Sequence, residues 1–320
     1  MTQATTLHTS LTLKTTPTTG RPLRSGSPSF RLQARDLAVI DATHRLRVLT
    51  SEHVAALYFP SHNGRASSQC RKRLQLLTEA GYLDRREQPQ TRTEGRKPYL
   101  YFLAPAGRQL LIDEVGLDPE TLDWKPSYND VRWPYLRHQL AINDVYVAFS
   151  LAAPRAGWTL ASWTDDRFLR KAHTERVQIT GPDGHAQEAA VVPDAHARFE
   201  VTNPLSGETT WIQFFVECDL ASEVVAAARL QRNSWQRKIR AYQAYFQSGA
   251  IHARYRTNSI RVLTVTTSQS RLANLKEVTE AEGGRSRYWF TTAADLRPET
   301  ALAAPIWFKA GEDAPVRLTR

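Results

Sequence analysis

The 320-residue chain contains only two cysteines, Cys70 and Cys218. Two isolated cysteines supply neither a disulfide framework nor a paired-cysteine zinc site, so the sequence predicts a protein of the reducing cytoplasm. No uncharged apolar run approaches the length needed to cross a bilayer, which argues against a membrane as a partner. Ser67 and Ser68 have no base within local reach, and this leaves nucleophilic catalysis without support.

The first thirty residues contain no acidic residue. They are rich in Thr, Ser and Pro, and they carry Lys14, Arg21 and Arg24. Because they lack the apolar centre of a secretory signal, we expect residues 1–34 to form a disordered basic tail. A transit peptide has a similar composition, but nothing else in the sequence points to an organelle.

Positive charge is what the chain has in excess. It carries 42 Lys and Arg residues against 32 Asp and Glu residues, a formal net charge of +10. Such an excess favours polyanions, because neutralising phosphates releases condensed counterions. An acidic protein or a membrane surface would also be attracted, so charge alone does not choose the partner.

Hydrophobic periodicity predicts three helices over residues 36–49, 52–58 and 65–80, with Asp36 capping the first. A β-hairpin with a basic tip follows over 82–103, and a closing helix over 105–115. Three helices followed by such a hairpin predict a winged helix-turn-helix domain at 35–115. The Pro- and Asn-containing stretch 116–130 is predicted to be a linker.

The third helix and the hairpin carry a cluster of side chains suited to base edges and phosphates. Residues 65–97 contain nine basic and four acidic residues, a local charge of +5. This pattern predicts binding to double-stranded DNA. Charged helix faces are also often merely solvated, and winged helices also serve as protein-interaction modules. The predicted DNA-binding residues are Arg65, Ser68, Arg71, Lys72, Gln75, Arg85, Arg96 and Lys97.

The second half, residues 131–292, begins with a predicted helix at 134–153. Strands are expected at 158–163, 190–201, 210–217, 260–266 and 287–290, with helices at 221–247 and 271–281. This order predicts an α/β sandwich with a mixed sheet whose first three strands form a meander. Residues 293–320 are expected to form a C-terminal extension.

Three acidic residues follow the apolar runs of this half, and a helical lysine returns towards them. Asp194, Glu217 and Asp219 are predicted metal ligands, with Mg²⁺ as the expected ion, and together with Lys238 they form a candidate catalytic site for phosphodiester cleavage. A structural ion-pair cluster of Asp219, Glu223 and Lys238 remains an alternative. His138 is interpreted as a core or capping residue, the commoner role of a lone helical histidine.

Four motifs carry a resemblance to a known family: HQLAIND at 138–144, VPD at 192–194, FVECD at 215–219 and KIRAY at 238–242. Preceded by a winged helix, they resemble the replication-relaxation family over most of residues 36–292. That resemblance implies a DNA-binding protein of a bacterial plasmid or mobile element, associated with the nucleoid or the plasmid. It also implies roles in replication, relaxation or transfer, with replication or mobilisation proteins, or a second copy of the chain, as further partners.

The second half also resembles the restriction-endonuclease-like fold of the PD-(D/E)xK nucleases. Asp194 matches the first acid of that motif and Glu217 the second. The motif places a lysine two residues after the second acid, where this chain has Asp219, and Lys238 is the candidate substitute. The resemblance therefore leaves two readings open: a Mg²⁺-dependent endonuclease, or a non-enzymatic winged-helix regulator or assembly factor with an inactive nuclease-like domain.

Overall fold

A computed structural model of the protein describes most of the chain from residue 30 onwards. Arg65, the first predicted DNA-binding residue, lies outside the described residues, as do Glu223 and most of the predicted tail. The described residues are 30–59, 66–90, 95–120, 122–172, 174–181, 184–203, 205–222, 225 and 234–319.

The first half combines four helices with a small antiparallel sheet of strand order β1-β3-β2. The helices are α1 (Ala34–Leu46), α2 (Ser51–Tyr58), α3 (Ser68–Glu79) and α4 (Pro105–Val115). The strands are β1 (Val48–Thr50), β2 (Leu83–Arg86) and β3 (Leu100–Leu103). The predicted hairpin is confirmed, since β2 and β3 pair from Leu83 opposite Leu103 to Arg86 opposite Leu100.

The first helix ends earlier than the sequence predicts. Arg47 adopts a positive φ of 66°, which stops α1, and residues 48–50 pair with β3 instead of extending the helix. Pairing with β3 also buries Val48, and Thr50 accepts a hydrogen bond from the backbone N–H of His53 to cap α2. Asp36 is not the cap of α1 but its third residue, and it accepts from the backbone N–H of Gln33.

Helix α3 begins at Ser68 because Ser67 caps it, accepting from the backbone N–H of Cys70 at 3.1 Å. Cys70, Leu74 and Leu77 face the core of this half at helical spacing. Burial raises the pKa of the Cys70 thiol to about 11. The opposite side of α3 is therefore the side left to solvent.

The second half is built on a seven-stranded mixed sheet of order β12-β11-β10-β9-β8-β7-β4. Strands β8, β9 and β10 run parallel, and the other pairs are antiparallel. The predicted meander is present, since β4, β7 and β8 are neighbours. These strands are β4 (Trp158–Asp165), β7 (Ala195–Thr202), β8 (Thr209–Asp219), β9 (Arg261–Thr266), β10 (Tyr288–Thr292), β11 (Trp307–Lys309) and β12 (Pro315–Val316).

The predicted strand at 190–201 is wrong as a single element. Pro193 has no N–H to donate to a ladder, and the chain leaves one sheet and enters another on its two sides. Before it, β5 (Glu175–Thr180) and β6 (Ala186–Val191) form a separate two-stranded sheet. After it, β7 joins the main sheet. The proline thus places Asp194 at the junction between the two sheets.

Five helices accompany these strands: α5 (Trp133–Arg155), α6 (Asp166–Ala172), α7 (Trp235–Gln247), α8 (Ala250–Tyr255) and α9 (Gln269–Ala281). Of the predicted helix at 221–247, α7 forms the part from Trp235, and Ser234 caps α7 by accepting from the backbone N–H of Arg237. Residues 223–224 and 226–233 lie outside the described part of the chain. Ala221 has a positive φ of 59° and is not helical. Helices α7 and α9 cover one face of the sheet, and α5 covers the other.

The predicted C-terminal extension belongs to the same sheet. Strands β11 and β12 extend it beyond β10, and Leu302, Trp307 and Leu318 are buried in the core that α5 shares with β7 and β8. The predicted domain end at residue 292 is therefore too early, because a sheet ending at β10 would leave this part of the core open.

The predicted linker at 116–130 is packed rather than free. Leu122 is buried in the first half, and a 3-10 turn at Pro126–Asn129 leads into α5. The side chain of Asn129 donates to the carbonyl of Leu103. The fold as a whole is mixed α/β with a large mixed sheet, as the sequence predicts. In the described part of the chain, no helix has the length and apolarity to cross a membrane.

Candidate functional site: a carboxylate pair and a basic helix face

Strands β7 and β8 bring two of the predicted acids together. Their register sets Ala195 opposite Val216, which places Asp194, just before β7, beside Glu217 in β8. Side chains alternate between the two faces of a strand. Glu217 therefore shares the face of Phe215, which packs against α7, while Cys218 shares the face of α5.

Glu217 is buried, with 2 % of its side chain exposed, and α7 supplies both of its polar partners. Lys238 Nζ donates to Glu217 Oε2 over 2.9 Å, and the Tyr242 hydroxyl donates to Oε1. Lys238 and Tyr242 lie four residues apart, on one face of the helix. Burial raises the pKa of Glu217 to about 7, against the lowering effect of the Lys238 ammonium.

Asp194 is held from the opposite side of the sheet, by α5. The Nε2 atom of His138 lies 3.2 Å from Asp194 Oδ2 and 3.1 Å from the carbonyl oxygen of Cys218. The backbone N–H of Cys218 also donates to Asp194 Oδ2 at 2.8 Å. Burial opposes ionisation of both groups, but their hydrogen bond and mutual attraction prevail. The pKa of Asp194 is lowered and that of His138 is raised to about 9.

Asp219 faces a different partner. Arg271 of α9 donates two hydrogen bonds of 2.8 Å to Asp219, one to each carboxylate oxygen. Thr266 of β9 adds a third donor at 2.8 Å. Burial opposes the effect, yet these donors keep the pKa of Asp219 below its ordinary value. The ion pair that fastens a helix to the sheet here joins Asp219 to Arg271, whereas the carboxylate facing Lys238 is that of Glu217.

The donor chemistry of the carboxylate pair suits a hard cation. Mg²⁺ keeps several waters and takes one or two protein carboxylates, so Asp194 and Glu217 are a sufficient set. Within the described residues, no group of three His, Cys, Asp or Glu side chains is placed to hold a metal ion. In the observed arrangement Lys238 and His138 are the cations nearest the two acids, so Asp194, Glu217, Lys238 and His138 form a compact, charge-balanced cluster.

The predicted DNA-binding side of α3 is solvent-facing. Ser68, Arg71, Lys72 and Gln75 are all exposed. Arg71 donates to the carbonyl of Ala66 at 2.6 Å and Gln75 to Glu79 at 2.7 Å, so both are anchored on the helix surface. We call these four residues the basic face.

Hairpin residues extend the positive surface away from α3. Arg85 and Arg96 both lie over the ring of Tyr99, at 4.6 and 5.1 Å from its centroid. Lys97 donates to the carbonyl of Pro89. Two other arginines of the same span serve the fold instead. Arg73 pairs with the buried Asp36, and Arg86 joins the hairpin to the segment before α5 through Asn129 and Asp130.

Two contributors to the carboxylate cluster were not predicted as site residues. Tyr242 belongs to the KIRAY motif but was given no role, and its hydroxyl donates to Glu217 Oε1. His138 was interpreted as a core or capping residue. The sequence signal for both is spacing: Tyr242 follows Lys238 by one helical turn, and His138 opens the HQLAIND motif that also carries Asn143 and Asp144.

Comparison with known families completes the description. A family model described as replication-relaxation matches residues 41–262, which is more than two thirds of the chain. The chain belongs to the replication-relaxation family. The matched span contains the basic face, α5, the carboxylate pair and α7, so both candidate sites lie within the family region. No curated protein and no solved structure matches the chain.

Proposed function

We propose that this member of the replication-relaxation family binds double-stranded DNA and acts in the replication, relaxation or transfer of a bacterial plasmid or other mobile element. The observation that carries the proposal is the basic face: α3 buries its apolar side and exposes Ser68, Arg71, Lys72 and Gln75 in one patch. Membership of the family supports the same role.

The order of elements in the first half supports the proposal, because helices followed by a β-hairpin are what a winged helix-turn-helix would require. Helix α2 precedes α3, which would lie in the major groove, and the β2–β3 hairpin would reach the flanking backbone. Arg71 and Gln75 lie one helical turn apart on the same side of α3. Both can therefore donate to base edges or phosphates of one groove. Lys72 would contact phosphate alone.

Fluorescence anisotropy with a labelled duplex tests this proposal. Binding should weaken steeply between 50 and 200 mM salt, because phosphate contacts release counterions. Lys72→Ala should weaken binding to all sequences and lower the salt slope by about one unit. The matched control is Arg155→Ala, since Arg155 is an exposed arginine at the far end of α5, paired with Glu299. Salt-independent binding, or equal effects of the two variants, would contradict the proposal.

A second activity, metal-dependent cleavage of DNA, is favoured by one further observation. Asp194 and Glu217 meet at one end of the sheet with Lys238 beside them, although the lysine comes from α7 instead of the strand. This donor set supports a phosphodiester-cleaving site, in which Lys238 of α7 would supply the cation that the motif takes from the strand.

The residues of the carboxylate cluster and its neighbours have different roles in that proposal. Asp194 and Glu217 would hold Mg²⁺, which supplies neutralisation of charge on the phosphoryl oxygens when bound. The Lys238 ammonium stabilises negative charge that develops on the phosphate or on the leaving oxygen. His138 keeps Asp194 oriented against the Cys218 backbone. Tyr242 fixes the rotamer of Glu217 from the other side.

Incubation with supercoiled plasmid in Mg²⁺, Mn²⁺ or EDTA tests cleavage. Metal-dependent nicking should appear with the wild type and disappear in Glu217→Gln, which keeps the side-chain size but removes the charge. Glu299→Gln, an exposed acid distant in sequence from the site, is the control. Binding without nicking would favour the non-enzymatic alternative, a regulator or assembly factor with an inactive nuclease-like domain.

A further inference from the structure

An exposed aromatic side chain stands beside the carboxylate cluster without a role in the functions above. Tyr135, in the first turn of α5, is 70 % exposed, well above Tyr128 at 44 % and Trp211 at 43 %. It lies three residues before His138, so the two side chains share one face of the helix, about 4.5 Å apart along its axis. This exposed tyrosine therefore lies about one helical turn from the histidine that pairs with Asp194.

Positive charge lies at the start of this helix. Arg132, the N-cap residue of α5, is exposed and lies three residues before Tyr135. Arg132, Tyr135 and His138 follow one another at three-residue spacing from the cap into the first turns of α5, and His138 is the residue that pairs with Asp194. We call these three residues the α5 stripe. A cation followed by an aromatic ring is the combination that grips a phosphate and stacks on a base.

The α5 stripe is continuous with the proposed DNA-binding half. Arg86, at the base of the β2–β3 hairpin, donates to the carbonyl of Asn129 at 2.5 Å and to Asp130 at 3.0 Å. Val131 and Trp133 pack with Leu100 and Phe102 of that half. Residues 129–132 therefore join the hairpin to the start of α5, and the α5 stripe leads from there to His138 and Asp194.

We propose that the α5 stripe binds an unpaired nucleotide, so that the strand delivered to the carboxylate cluster is single-stranded or locally melted DNA. The proposal rests on the proposed DNA-binding function and adds the form of DNA that the site accepts. Tyr135 stacks on the base, and Arg132 contacts a flanking phosphate. Bases stacked within an intact duplex present no face to a protein ring, so stacking on Tyr135 requires an unpaired base.

The burial of Glu217 and Asp194 also favours a single strand as the ligand. Glu217 is almost fully buried, and Asp194 has 16 % of its side chain exposed. A phosphate reaches such recessed carboxylates more easily from a flexible single strand than from a duplex held at its surface. The positive charge of Arg132 favours a nucleic acid over an apolar peptide as the occupant.

The test uses the full-length protein and one oligonucleotide sequence, single-stranded and as a duplex, with 2-aminopurine as the fluorescent base. Single-strand binding should quench the aminopurine through stacking. Tyr135→Ala should abolish the quench and weaken single-strand binding roughly tenfold, while duplex affinity changes by less than about twofold. Tyr135→Phe should keep both the quench and the affinity, because the ring and not the hydroxyl makes the contact. Thermal melts should confirm that the exposed side chain can be removed without unfolding.

Trp211→Ala is the matched control, since Trp211 is an exposed aromatic six residues and about 20 Å along β8 from Glu217. The inference is overturned if Tyr135→Ala and Trp211→Ala have the same effect on single-strand binding. It is also overturned if Tyr135→Phe binds single strands as weakly as Tyr135→Ala, or if the wild type does not bind single strands. Duplex binding that is salt-dependent, with no single-strand binding, would overturn this inference and leave the proposed function standing. Binding to neither form would overturn both.

Discussion

Glu217 lowers the stability of the folded protein near neutral pH, because it is a buried acid with a raised pKa. Burial raises its pKa to about 7, above the ordinary value of 4.5, even though Lys238 and Tyr242 both stabilise its charge. The unfolded chain therefore gives up this proton more easily than the folded protein. Carboxylates with such pKa values are typical of functional sites, because stability alone would not select them.

The pH dependence of stability should show this cost. As pH rises from about 4.5 through 7, the unfolded state loses the Glu217 proton first, so Glu217 contributes less and less stability. Glu217→Gln removes the titration and keeps the size. We expect the variant to gain on the wild type by up to about 3 kcal/mol between pH 4 and pH 8. Urea unfolding of both proteins across this range measures it, and a difference that stays constant with pH would contradict the prediction.

Helix α5 is the element that joins the two halves. Asn143, fully buried, donates to the carbonyls of Leu46 and Val48 at 3.1 and 2.6 Å. His53 accepts from the N–H of Thr50 through Nδ1, so its Nε2–H donates to Asp144 at 2.7 Å. Five residues before Asn143, on the same helix, His138 holds Asp194. One helix thus positions the first half against the carboxylate cluster.

Replacing Asn143 should therefore loosen the junction. Asn143→Ala leaves two buried carbonyls and the side chain of Gln139 without their partner, and we expect a loss of about 2 kcal/mol in the free energy of unfolding. Ser150→Ala, on the same helix, removes a buried hydroxyl with no hydrogen-bond partner among the described residues. It should be neutral or slightly stabilising. Chemical denaturation measures both, and equal losses would count against the role of Asn143.

Local sequence signals predicted the helices and strands better than the contacts between them. Hydrophobic spacing, Pro105 and Gly116 gave α4 its observed bounds, and the two apolar runs around the hairpin tip gave β2 and β3. The pairing of His138 with Asp194 could not be predicted, because it depends on where α5 crosses the sheet and not on any local pattern. The ion pair of Asp219 with Arg271 escaped prediction for the same reason, since 52 residues separate the partners.

At the scale of the whole molecule, the main sheet is extended by a C-terminal segment that is distant in sequence from both candidate sites. Trp307 is fully buried, packs against Phe149 and donates from its indole N–H to the carbonyl of Ala301 at 2.8 Å. Strand β11 pairs with β10 on one side and β12 on the other. Residues that the sequence assigned to an extension therefore complete the core behind the carboxylate cluster.

Removing this indole should destabilise the second half. Trp307→Ala opens a large cavity in the core, and we expect a loss of about 3–5 kcal/mol. Trp211→Ala, at a partly exposed tryptophan stacked with Arg198 at 3.6 Å, should cost about 1 kcal/mol or less. Thermal unfolding monitored by circular dichroism distinguishes the two. A small loss for Trp307→Ala would mean that the segment is dispensable for the core.

The shared use of α5 limits how such proteins can diversify by recombination. Leu136 and Leu140 of this helix pack with strands β1 and β3 of the first half, while Val145 and Phe149 pack into the main sheet. A gene crossover at residues 116–130 would pair an α5 from one parent with a first half from another. The packing between α5 and strands β1 and β3 would then be mismatched, so the exposed side of α3 should diversify by point substitutions and not by exchange of whole modules.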